Sequence, residues 1–439
     1  MAVTVHKNVV CAFCGCLCDD LEVTVEDNQI TKVKTVCLIG KNKLMYAQSH
    51  IAPLRVNGKE AFLDEAYDEA ARILSNARAP LIYGLSSATC EANREAVELT
   101  ELVKGTIDNP SSHCHGPGVI ARQQAGMPTC TLGEVKNRAD LVVVWGANPM
   151  ASHMRHYSKF SVAPKGMYIP EGRKGRKLVV IDVRPTESSK NADIFLQITP
   201  GSDFEIVSVL RALIKGLRVD GLTEESPVGG VPLSKWREVA DMLKSCKYGV
   251  ALFGLGLTES RGKDLNVENI IHMACELNQY TRFSVIPMRG HANVNGSNQV
   301  LVWQTGYPLA INMNRGYPRF NPGEYSVFDL LARKEVDAAL IVATDPGAHL
   351  PVAAVETLKS IPTIVLDPLE NMTTPWADVV IPVAPGGVAA EGTYYRMDNV
   401  PLRLKKLIDV PYPTDVEVLH AIKDKIKAVR EGGMVFAQN

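Results

Sequence analysis

The segment ADLVVVWGANP, residues 139–149, is a short run of β-branched and aromatic residues followed by Gly146, Asn148 and Pro149. A bounded apolar run of this length predicts a buried strand, and the glycine and proline after it predict a turn at the strand's carboxyl end. The same pattern recurs in PLIYGL, KLVVIDV, YGVALFGLG, DAALIVAT and PTIVLD. Helical stretches separate several of these runs, so the sequence predicts an α/β fold with two doubly wound parallel-sheet domains.

Helical periodicity marks several stretches between the apolar runs and one near the end of the chain. The predicted helices are DEAYDEAARILSNA, DFEIVSVLRALIKGL, VENIIHMACELN and DVEVLHAIKDKIKAVRE. Nearer the start, LEVTVE alternates apolar and polar residues and QITKVKTV follows it, which predicts a small strand-containing domain around the cysteine loops. The polar stretch EGRKGRK, residues 171–177, is predicted to be a surface loop before a strand.

Length and composition indicate a globular protein of about two or three domains. The chain has 439 residues, of which 46% are hydrophobic and 22% charged, and its formal net charge is −1. This balance gives no broad cationic field for nucleic acid or an anionic membrane. No apolar run approaches the ~20 residues of a membrane span, and the opening MAVTVHKNVV lacks a secretory signal. We therefore expect a soluble cytoplasmic protein.

Cysteines are concentrated near the start of the chain. Cys11, Cys14, Cys18 and Cys37 have the spacing C-x2-C-x3-C-x18-C. Four thiolates from one tight loop and one distant segment suit a [4Fe-4S] cluster, which binds one cysteine per iron. A structural zinc site is the alternative, but it typically presents two C-x2-C pairs. Cys16 is left over in the same loop. Four further cysteines are predicted to be buried and chemically inert: Cys90, Cys130, Cys246 and Cys275.

Several segments, in order along the chain, resemble the molybdopterin oxidoreductase superfamily, which includes dimethyl sulfoxide reductase and formate dehydrogenase. The cysteine spacing is the first match. The others are Cys114–Val119, Gly146–Arg155, Asp182–Thr186, Ala192–Asp193, Pro200–Asp203, Arg289–Gly296, Ala377–Pro382 and Glu391–Thr393. The resemblance implies a molybdenum or tungsten bis(molybdopterin guanine dinucleotide) bound by the thiolate of Cys114. It also implies catalytic roles for His115, in proton handling with a near-neutral pKa, and for Arg289, in binding formate and stabilising charge on carbon dioxide.

The residues predicted to bind the cofactor lie mostly where strands end, because open α/β sheets bind nucleotides at their carboxyl edge. Gly146 and Asn148 would let backbone amides meet a pyrophosphate, Asp182 would accept hydrogen bonds from guanine or ribose, and Arg184 would bind a phosphate. The full predicted set is Gly146, Asn148, Ser152, Asp182, Arg184, Thr186, Asp193, Gly201, Asp203, Gly254, Gly256, Gly290, Asp345, Glu391, Gly392 and Thr393.

The chain departs from its relatives in two ways. Ile39 stands where relatives often carry a lysine beside the cluster, with Lys41 nearby. We expect no counterpart of the superfamily's C-terminal β-barrel in the forty or so residues after Thr393, so either the pterin site is left open or another polypeptide covers it. The resemblance to relatives with a split layout implies the second: a separate D-type β-barrel subunit, together with an A-type amidohydrolase subunit and polyferredoxin or other iron–sulfur electron-transfer subunits. The implied reaction is reversible reduction of carbon dioxide to formate, which the amidohydrolase would condense with methanofuran.

Four parts are predicted along the chain. They are an iron–sulfur domain at 1–55, a discontinuous α/β domain at 56–109 and 297–410, a pterin-binding α/β domain at 110–296, and a C-terminal helix and tail at 411–439. Three alternatives remain open at this point. The chain could be the catalytic subunit of a formate dehydrogenase, a metal-free scaffold subunit of an electron-transfer complex, or a zinc-binding interaction module.

Overall fold

The computed structural model describes residues 3–431, so the first two residues and the last part of the predicted tail lie outside it. The chain forms two compact units. The first unit contains the described residues up to His113, the segment His291–Arg396 and the described residues from Pro401 onward. The second unit contains Cys114–Gly290 and Met397–Val400. The predicted four-part division of the chain stays a prediction.

The strands in chain order are β1 Val3–Val9, β2 Leu21–Glu26, β3 Gln29–Lys34, β4 Arg55–Val56, β5 Lys59–Glu60, β6 Pro80–Gly84, β7 Thr106–Asp108, β8 Leu141–Trp145, β9 Lys177–Asp182, β10 Ile194–Gln197, β11 Pro227–Val228, β12 Val231–Pro232, β13 Tyr248–Phe253, β14 Arg282–Pro287, β15 Ile311–Asn312, β16 Arg319–Phe320, β17 Ala338–Val342, β18 Thr363–Leu366, β19 Val379–Ile381, β20 Gly392–Tyr395 and β21 Pro401–Leu404. Every strand predicted from an apolar run is confirmed.

The α-helices in chain order are α1 Leu38–Met45, α2 Leu63–Asn76, α3 Cys90–Val103, α4 Ser111–Cys114, α5 Gly116–Ala125, α6 Leu132–Arg138, α7 Pro149–Ser152, α8 Asp203–Ile214, α9 Leu233–Ser245, α10 Leu255–Thr258, α11 Asp264–Leu277, α12 Val294–Thr305, α13 Val327–Arg333, α14 Pro346–His349, α15 Val352–Lys359 and α16 Asp415–Glu431. The predicted helices correspond to α2, α8, α11 and α16. None of the helices in residues 3–431 is both long enough and apolar enough to cross a bilayer.

The second unit is built on a five-stranded sheet in the order β10-β9-β8-β13-β14, with every neighbouring pair parallel. All five residues of β8 are buried, as expected for a strand covered on both faces. Helices α8, α9 and α11 contribute Leu210, Trp236 and Ile270 to the same buried cluster as Val143 and Phe253 of the sheet. Parallel pairing brings the carboxyl ends of β8, β9 and β13 to one edge.

The first unit contains a nine-stranded sheet in the order β16-β15-β7-β6-β17-β18-β19-β4-β5. Its central strands, β7 to β19 in that order, are parallel, and the short strands at both ends pair antiparallel. Neighbouring residues of one strand belong to different buried clusters: Ile82 packs with residues of α2, α3 and α16, and Leu81 with residues of α13 and α15. Helices therefore cover both faces of this sheet.

The same unit carries a three-stranded antiparallel sheet in the order β1-β2-β3, close in sequence to the cysteine loop. Leu21, Val23 and Val25 of β2 are buried and alternate with less buried residues, which confirms the period-two pattern of LEVTVE. A short hairpin of β20 and β21 lies near the end of the described chain. The fold is thus mixed α/β with parallel sheets.

Two local predictions hold only in part. EGRKGRK is a loop before a strand, as predicted, with a 3-10 turn at Gly172–Gly175 before β9, but Arg176 within it is only 2% exposed. Its guanidinium donates to the carbonyls of Ala139, Val162, Pro164 and Lys136, and these bonds offset the cost of burying the charge. Cys90 and Cys130 are buried as predicted, but Cys246 is only partly buried and Cys275 is exposed, since it lies on the outer face of α11.

Candidate functional site

The cysteine loop of the first unit brings its predicted ligands together. The backbone N–H of Cys11 donates to the carbonyl of Cys18 at 2.8 Å, which closes the loop. Cys37 caps α1, and its Sγ accepts from the N–H of Gly40 at 3.4 Å. A Cβ on Gly40 would lie 3.0 Å from Cys11 Sγ and 3.8 Å from Cys37 Sγ, so glycine leaves room for both thiols. Within residues 3–431, no three His, Cys, Asp or Glu side chains surround a position for a single metal ion.

Cys16, the cysteine left over by the spacing, interacts with Cys14. A side-chain hydrogen bond from Cys16 is the main cause that lowers the pKa of Cys14 to about 7. The same bond, with burial, raises the pKa of Cys16 well above its usual range. Burial raises the pKa of Cys11 strongly, and the other ligand cysteines add to this effect. Cys16 thus acts as a thiol donor toward the thiolate of Cys14, which favours Cys14 as the ligand.

A lysine does approach the cysteine loop, although not at position 39. Ile39 is exposed, and so is Lys41. Lys43 Nζ instead lies 5.7 Å from the centroid of the Phe13 ring, and its charge helps to lower the pKa of Cys14. Lys43 is therefore the positive charge of α1 that reaches the loop.

For the Cys14→Ala variant we expect loss of the iron–sulfur electron paramagnetic resonance signal, because the cluster would lose one of its four thiolates. Cys275→Ala is the matched control, since that thiol is exposed and lies in the other unit. An unchanged spectrum in Cys14→Ala would remove this cysteine from the ligand set.

In the second unit, Cys114 and His115 lie at the junction of α4 and α5, so they are not part of an extended segment. The carbonyl of Cys114 accepts from Thr258 Oγ1 at 3.1 Å. Burial raises the pKa of the Cys114 thiol to about 11, and the charge of Arg289 opposes this rise. The thiol therefore stands within the field of a guanidinium.

His115 differs from the expectation of a near-neutral pKa. It is 2% exposed, and neither ring nitrogen has a partner within residues 3–431. Burial, followed by the charge of Arg289, lowers its pKa to about 3. His115 is thus a neutral imidazole at physiological pH in this environment, and an anion bound nearby would raise its pKa.

Arg289 follows β14 and is 1% exposed. Its Nε and Nη1 have no hydrogen-bond partner among the described residues. Burial, followed by the charge of Arg122, lowers its pKa to about 9, so the guanidinium remains charged at neutral pH. A buried cation with unused donors is costly unless an anion satisfies it. The arrangement therefore points to an anion site beside Cys114.

Sequence reasoning missed two residues of this site. Arg122 lies on α5 and acts electrostatically on both Arg289 and His115. The sequence indicated Arg122 only through its position seven residues after His115, the cap of α5, because residues seven apart lie on nearly the same face of a helix. His153 is 2% exposed, and its Nε2 lies 2.8 Å from the carbonyl oxygen of Arg289. It lies within Gly146–Arg155, one of the segments that carry the family resemblance, but its sequence position alone predicts no role for it.

A cleft of about 490 Å³ opens at the carboxyl edge of the five-stranded sheet, within the size range of ligand pockets. It is lined by five residues of the predicted cofactor set, Gly146, Asp182, Gly201, Asp203 and Gly256. Asp203 Oδ1 accepts from Trp145 Nε1 at 2.8 Å, while Oδ2 is buried without a partner among the described residues. Burial raises the pKa of Asp182, and Asp203 adds to the rise. These carboxylates are available to donors such as those of a guanine.

Three glycines let the ends of β8 and β13 approach each other at the wall of the cleft. A Cβ on Gly146 would lie 2.7 Å from Leu257 N, and one on Gly254 would lie 2.7 Å from Gly146 O. A Cβ on Gly256 would meet Gly146 Cα at 2.7 Å, and the N–H of Gly256 donates to Gly146 O at 2.9 Å. All three glycines were predicted to bind the cofactor, and the structure shows that they also have a packing role.

We expect Gly146→Ala to lower the free energy of unfolding by about 3 kcal/mol or more, because the methyl group meets backbone and the residue has a φ of +55°. Gly126→Ala is the control: its φ is +69° but nothing lies within 4 Å of its Cβ, so we expect only about 1–2 kcal/mol. Thermal unfolding of the purified variants measures the difference. Equal losses would show that the close approach at Gly146 costs nothing.

Other predicted cofactor residues of the second unit are engaged in internal bonds. Asn148 Oδ1 accepts from the N–H and hydroxyl of Ser188, and its Nδ2 donates to Glu187. Thr186 Oγ1 accepts from the N–H of Ser189. The Ser152 hydroxyl lies within hydrogen-bond distance of Asn148 O and of His153, and Asp193 forms an ion pair with Arg173 at 3.0 Å. The side chain of Arg184 is exposed, and a Cβ on Gly290 would meet open space.

The predicted cofactor residues of the first unit also have protein partners. Asp345 accepts from Thr373 Oγ1 and the N–H of Met372. Thr393 bonds to Glu91 through its N–H and hydroxyl. Glu391 forms an exposed ion pair with Arg403, and a Cβ on Gly392 would lie 2.5 Å from Thr89 Cγ2. Their roles as cofactor contacts stay predictions.

Comparisons with known proteins agree with this fold. No family model matches the chain. It is 47% identical over 435 residues to the B subunit of tungsten-containing formylmethanofuran dehydrogenase 2 from Methanocaldococcus jannaschii, covering 97% of this chain and 99% of that protein. The Methanococcus maripaludis protein of the same name is 44% identical over 436 residues, covering 97% and 100%. The crystal structure of the formyltransferase/hydrolase complex FhcABCD from Methylorubrum extorquens, with methylofuran, contains a chain that matches with a TM-score of 0.71 at 23% identity, covering 87% and 99%.

The identity and coverage of these two relatives define the class of protein: the chain is an oxidoreductase subunit with a mixed α/β, parallel-sheet fold. The particular family follows from the extent of the similarity. The chain belongs to the family of formylmethanofuran dehydrogenase B subunits.

Proposed function

We propose that this chain is the catalytic subunit that reduces carbon dioxide to formate in a formylmethanofuran dehydrogenase, the first step of methanogenesis from carbon dioxide. The observation that carries the proposal is the buried guanidinium of Arg289, whose Nε and Nη1 are unused among the described residues and whose charge acts on Cys114 and His115. Formate is a small anion that such a cation binds. The names of the two relatives that are 47% and 44% identical support the same activity.

The residues present fit the groups that this activity requires. Cys114 supplies the thiolate for molybdenum or tungsten, and the cleft with the unpartnered Oδ2 of Asp203 suits a guanine dinucleotide. Cys11, Cys14, Cys18 and Cys37 suit a [4Fe-4S] cluster, since Gly40 lets Cys11 and Cys37 approach each other. When bound, the metal–pterin group supplies two-electron chemistry and the cluster passes electrons one at a time.

The chain's own residues bind and orient the substrate. Arg289 binds the oxygens of formate and stabilises the negative charge that develops when carbon dioxide is reduced. The charge of Arg122 adds to the positive field at this point. His115 is neutral before the anion arrives, and its free ring nitrogen can take up a proton once a bound anion raises its pKa. Burial of both side chains keeps water from competing for these contacts.

The proposal includes partner subunits. A D-type β-barrel subunit would close over the pterins, an A-type amidohydrolase subunit would condense formate with methanofuran, and polyferredoxin or other iron–sulfur subunits would deliver electrons. Both relatives are named as B subunits, and the matching solved chain belongs to the FhcABCD complex. These names support an assembly of several subunits.

Purification of the native complex tests this function. We expect tungsten or molybdenum in the complex, copurification of an amidohydrolase, and reduction of carbon dioxide that yields formylmethanofuran when methanofuran is present. If the complex reduces carbon dioxide to formate as its final product, with no need for methanofuran or an amidohydrolase, the chain is instead a formate dehydrogenase subunit. Intact protein without either metal would identify a scaffold, and zinc alone would identify an interaction module.

A further inference from the structure

The backbone around Arg289 is weakly held by its own packing. Gly290 follows it, and a Cβ at that position would meet nothing within 4 Å. Glycine allows many backbone conformations, so the peptide plane between Arg289 and Gly290 needs an outside restraint. The N–H of Met288 donates to Phe253 O at 2.7 Å and that of Arg289 to Pro287 O at 3.0 Å, which hold the chain up to the Arg289 nitrogen. The Arg289 carbonyl is the next backbone group along the chain.

His153 supplies a hydrogen bond at that point. Its Nε2 lies 2.8 Å from Arg289 O, and its Nδ1 lies 2.8 Å from Ser152 Oγ. A carbonyl can only accept, so Nε2 carries the proton. Because burial lowers the pKa of His153, the ring is neutral and Nδ1 accepts from the Ser152 hydroxyl. Asn148 O, the other partner of that hydroxyl, already accepts from the N–H groups of Ala151 and Ser152.

The loop that carries His153 is itself anchored. Its first residue, Asn148, accepts from the N–H and hydroxyl of Ser188. The N–H of Met150 donates to the same hydroxyl at 3.3 Å. His153 is 2% exposed, and its backbone N–H donates to Pro149 O at 2.8 Å. The imidazole is therefore held in place by its own loop and can restrain the backbone of Arg289.

We propose that His153 is a positioning residue for Arg289, which it orients by donating a hydrogen bond from Nε2 to the Arg289 carbonyl while Ser152 fixes its tautomer. This rests on the proposed function only for the identity of the anion, formate. Without the bond, the guanidinium samples several positions and meets formate less often in the productive one. Loss of this hydrogen bond should therefore weaken formate binding and increase the local mobility of the backbone.

The test compares variants in the native complex. His153→Leu removes the donor at similar volume, His153→Gln keeps an amide donor that can reach the carbonyl, and His153→Asn carries a donor too short to reach it. We expect the KM for formate to rise about tenfold in His153→Leu and His153→Asn, and to stay within about threefold in His153→Gln. Ser152→Ala, on an exposed residue, should give an intermediate rise. His272→Leu, at a more exposed histidine of α11, is the control.

Hydrogen exchange gives a second readout that does not depend on turnover. We expect faster exchange confined to the peptide around Arg289 and Gly290 in His153→Leu and His153→Asn, with normal exchange in His153→Gln. Unchanged exchange and KM in both donor-lacking variants would overturn the proposal, and so would faster exchange across the whole second unit, which indicates a general structural role. If the wild-type complex shows no formate turnover, the proposed function fails while the exchange data still decide the role of His153.

Discussion

The Cys114→Ala variant is expected to lose about 10³-fold or more of its carbon dioxide and formate turnover, because it lacks the thiolate that we propose as the metal ligand. The iron–sulfur signal should remain, since the proposed cluster ligands belong to the other unit. Assays of formate oxidation with an artificial electron acceptor, together with electron paramagnetic resonance of the same sample, measure both effects.

Cys130→Ala is the matched control for this substitution. Cys130 lies in the same unit, is buried, and has its pKa raised to about 11 by burial, as Cys114 does. It forms side-chain hydrogen bonds with Tyr248 and Ser284 and has no role in the proposed site. We expect its turnover to stay near that of the wild type. Full activity in Cys114→Ala would refute the ligand assignment.

Arg289→Lys is expected to reduce kcat/KM for formate by about 10²–10³-fold, although the charge is kept. A lysine ammonium is a point charge, whereas the guanidinium presents several donors in one plane to the oxygens of formate. Burial also lowers the pKa of a lysine more readily to values at which it is neutral. Steady-state kinetics across a range of formate concentrations separate the effect on KM from that on kcat.

Arg282→Lys controls for a general effect of the change. Arg282 starts β14, the strand that leads to Arg289, but its side chain is exposed. Its substitution should leave the kinetics unchanged. Wild-type kinetics in Arg289→Lys would move Arg289 out of the substrate site.

The sheets were predictable because their strands are buried on both faces. LVVVW in β8 and AALIV in β17 are apolar without interruption, and the glycines or polar residues after them mark where the strands end. The cysteine loop was also recognisable in the sequence, because cysteine spacing is a local property, while its role as a cluster site stays a prediction. Each of these signals depends on a few neighbouring residues.

Properties that depend on distant segments were not predictable. Arg176 is satisfied by carbonyls of two separate segments, residues 136–139 and 162–164, so a charged stretch that looks solvated is partly buried. The bond from His153 to Arg289 joins residues 136 positions apart. The low pKa of His115 follows from burial and a guanidinium far along the chain. Asn148 was predicted to bind the cofactor, yet its side chain is hydrogen-bonded to Glu187 and Ser188.

Crystallography of the native complex, with anomalous diffraction at the absorption edge of the metal found by elemental analysis, tests the central claim most directly. We expect one strong anomalous peak for tungsten or molybdenum within bonding distance of Cys114 Sγ, with Arg289 facing the same point. A heavy-metal peak far from Cys114, or a fully active crystal form with no such peak, would contradict the account.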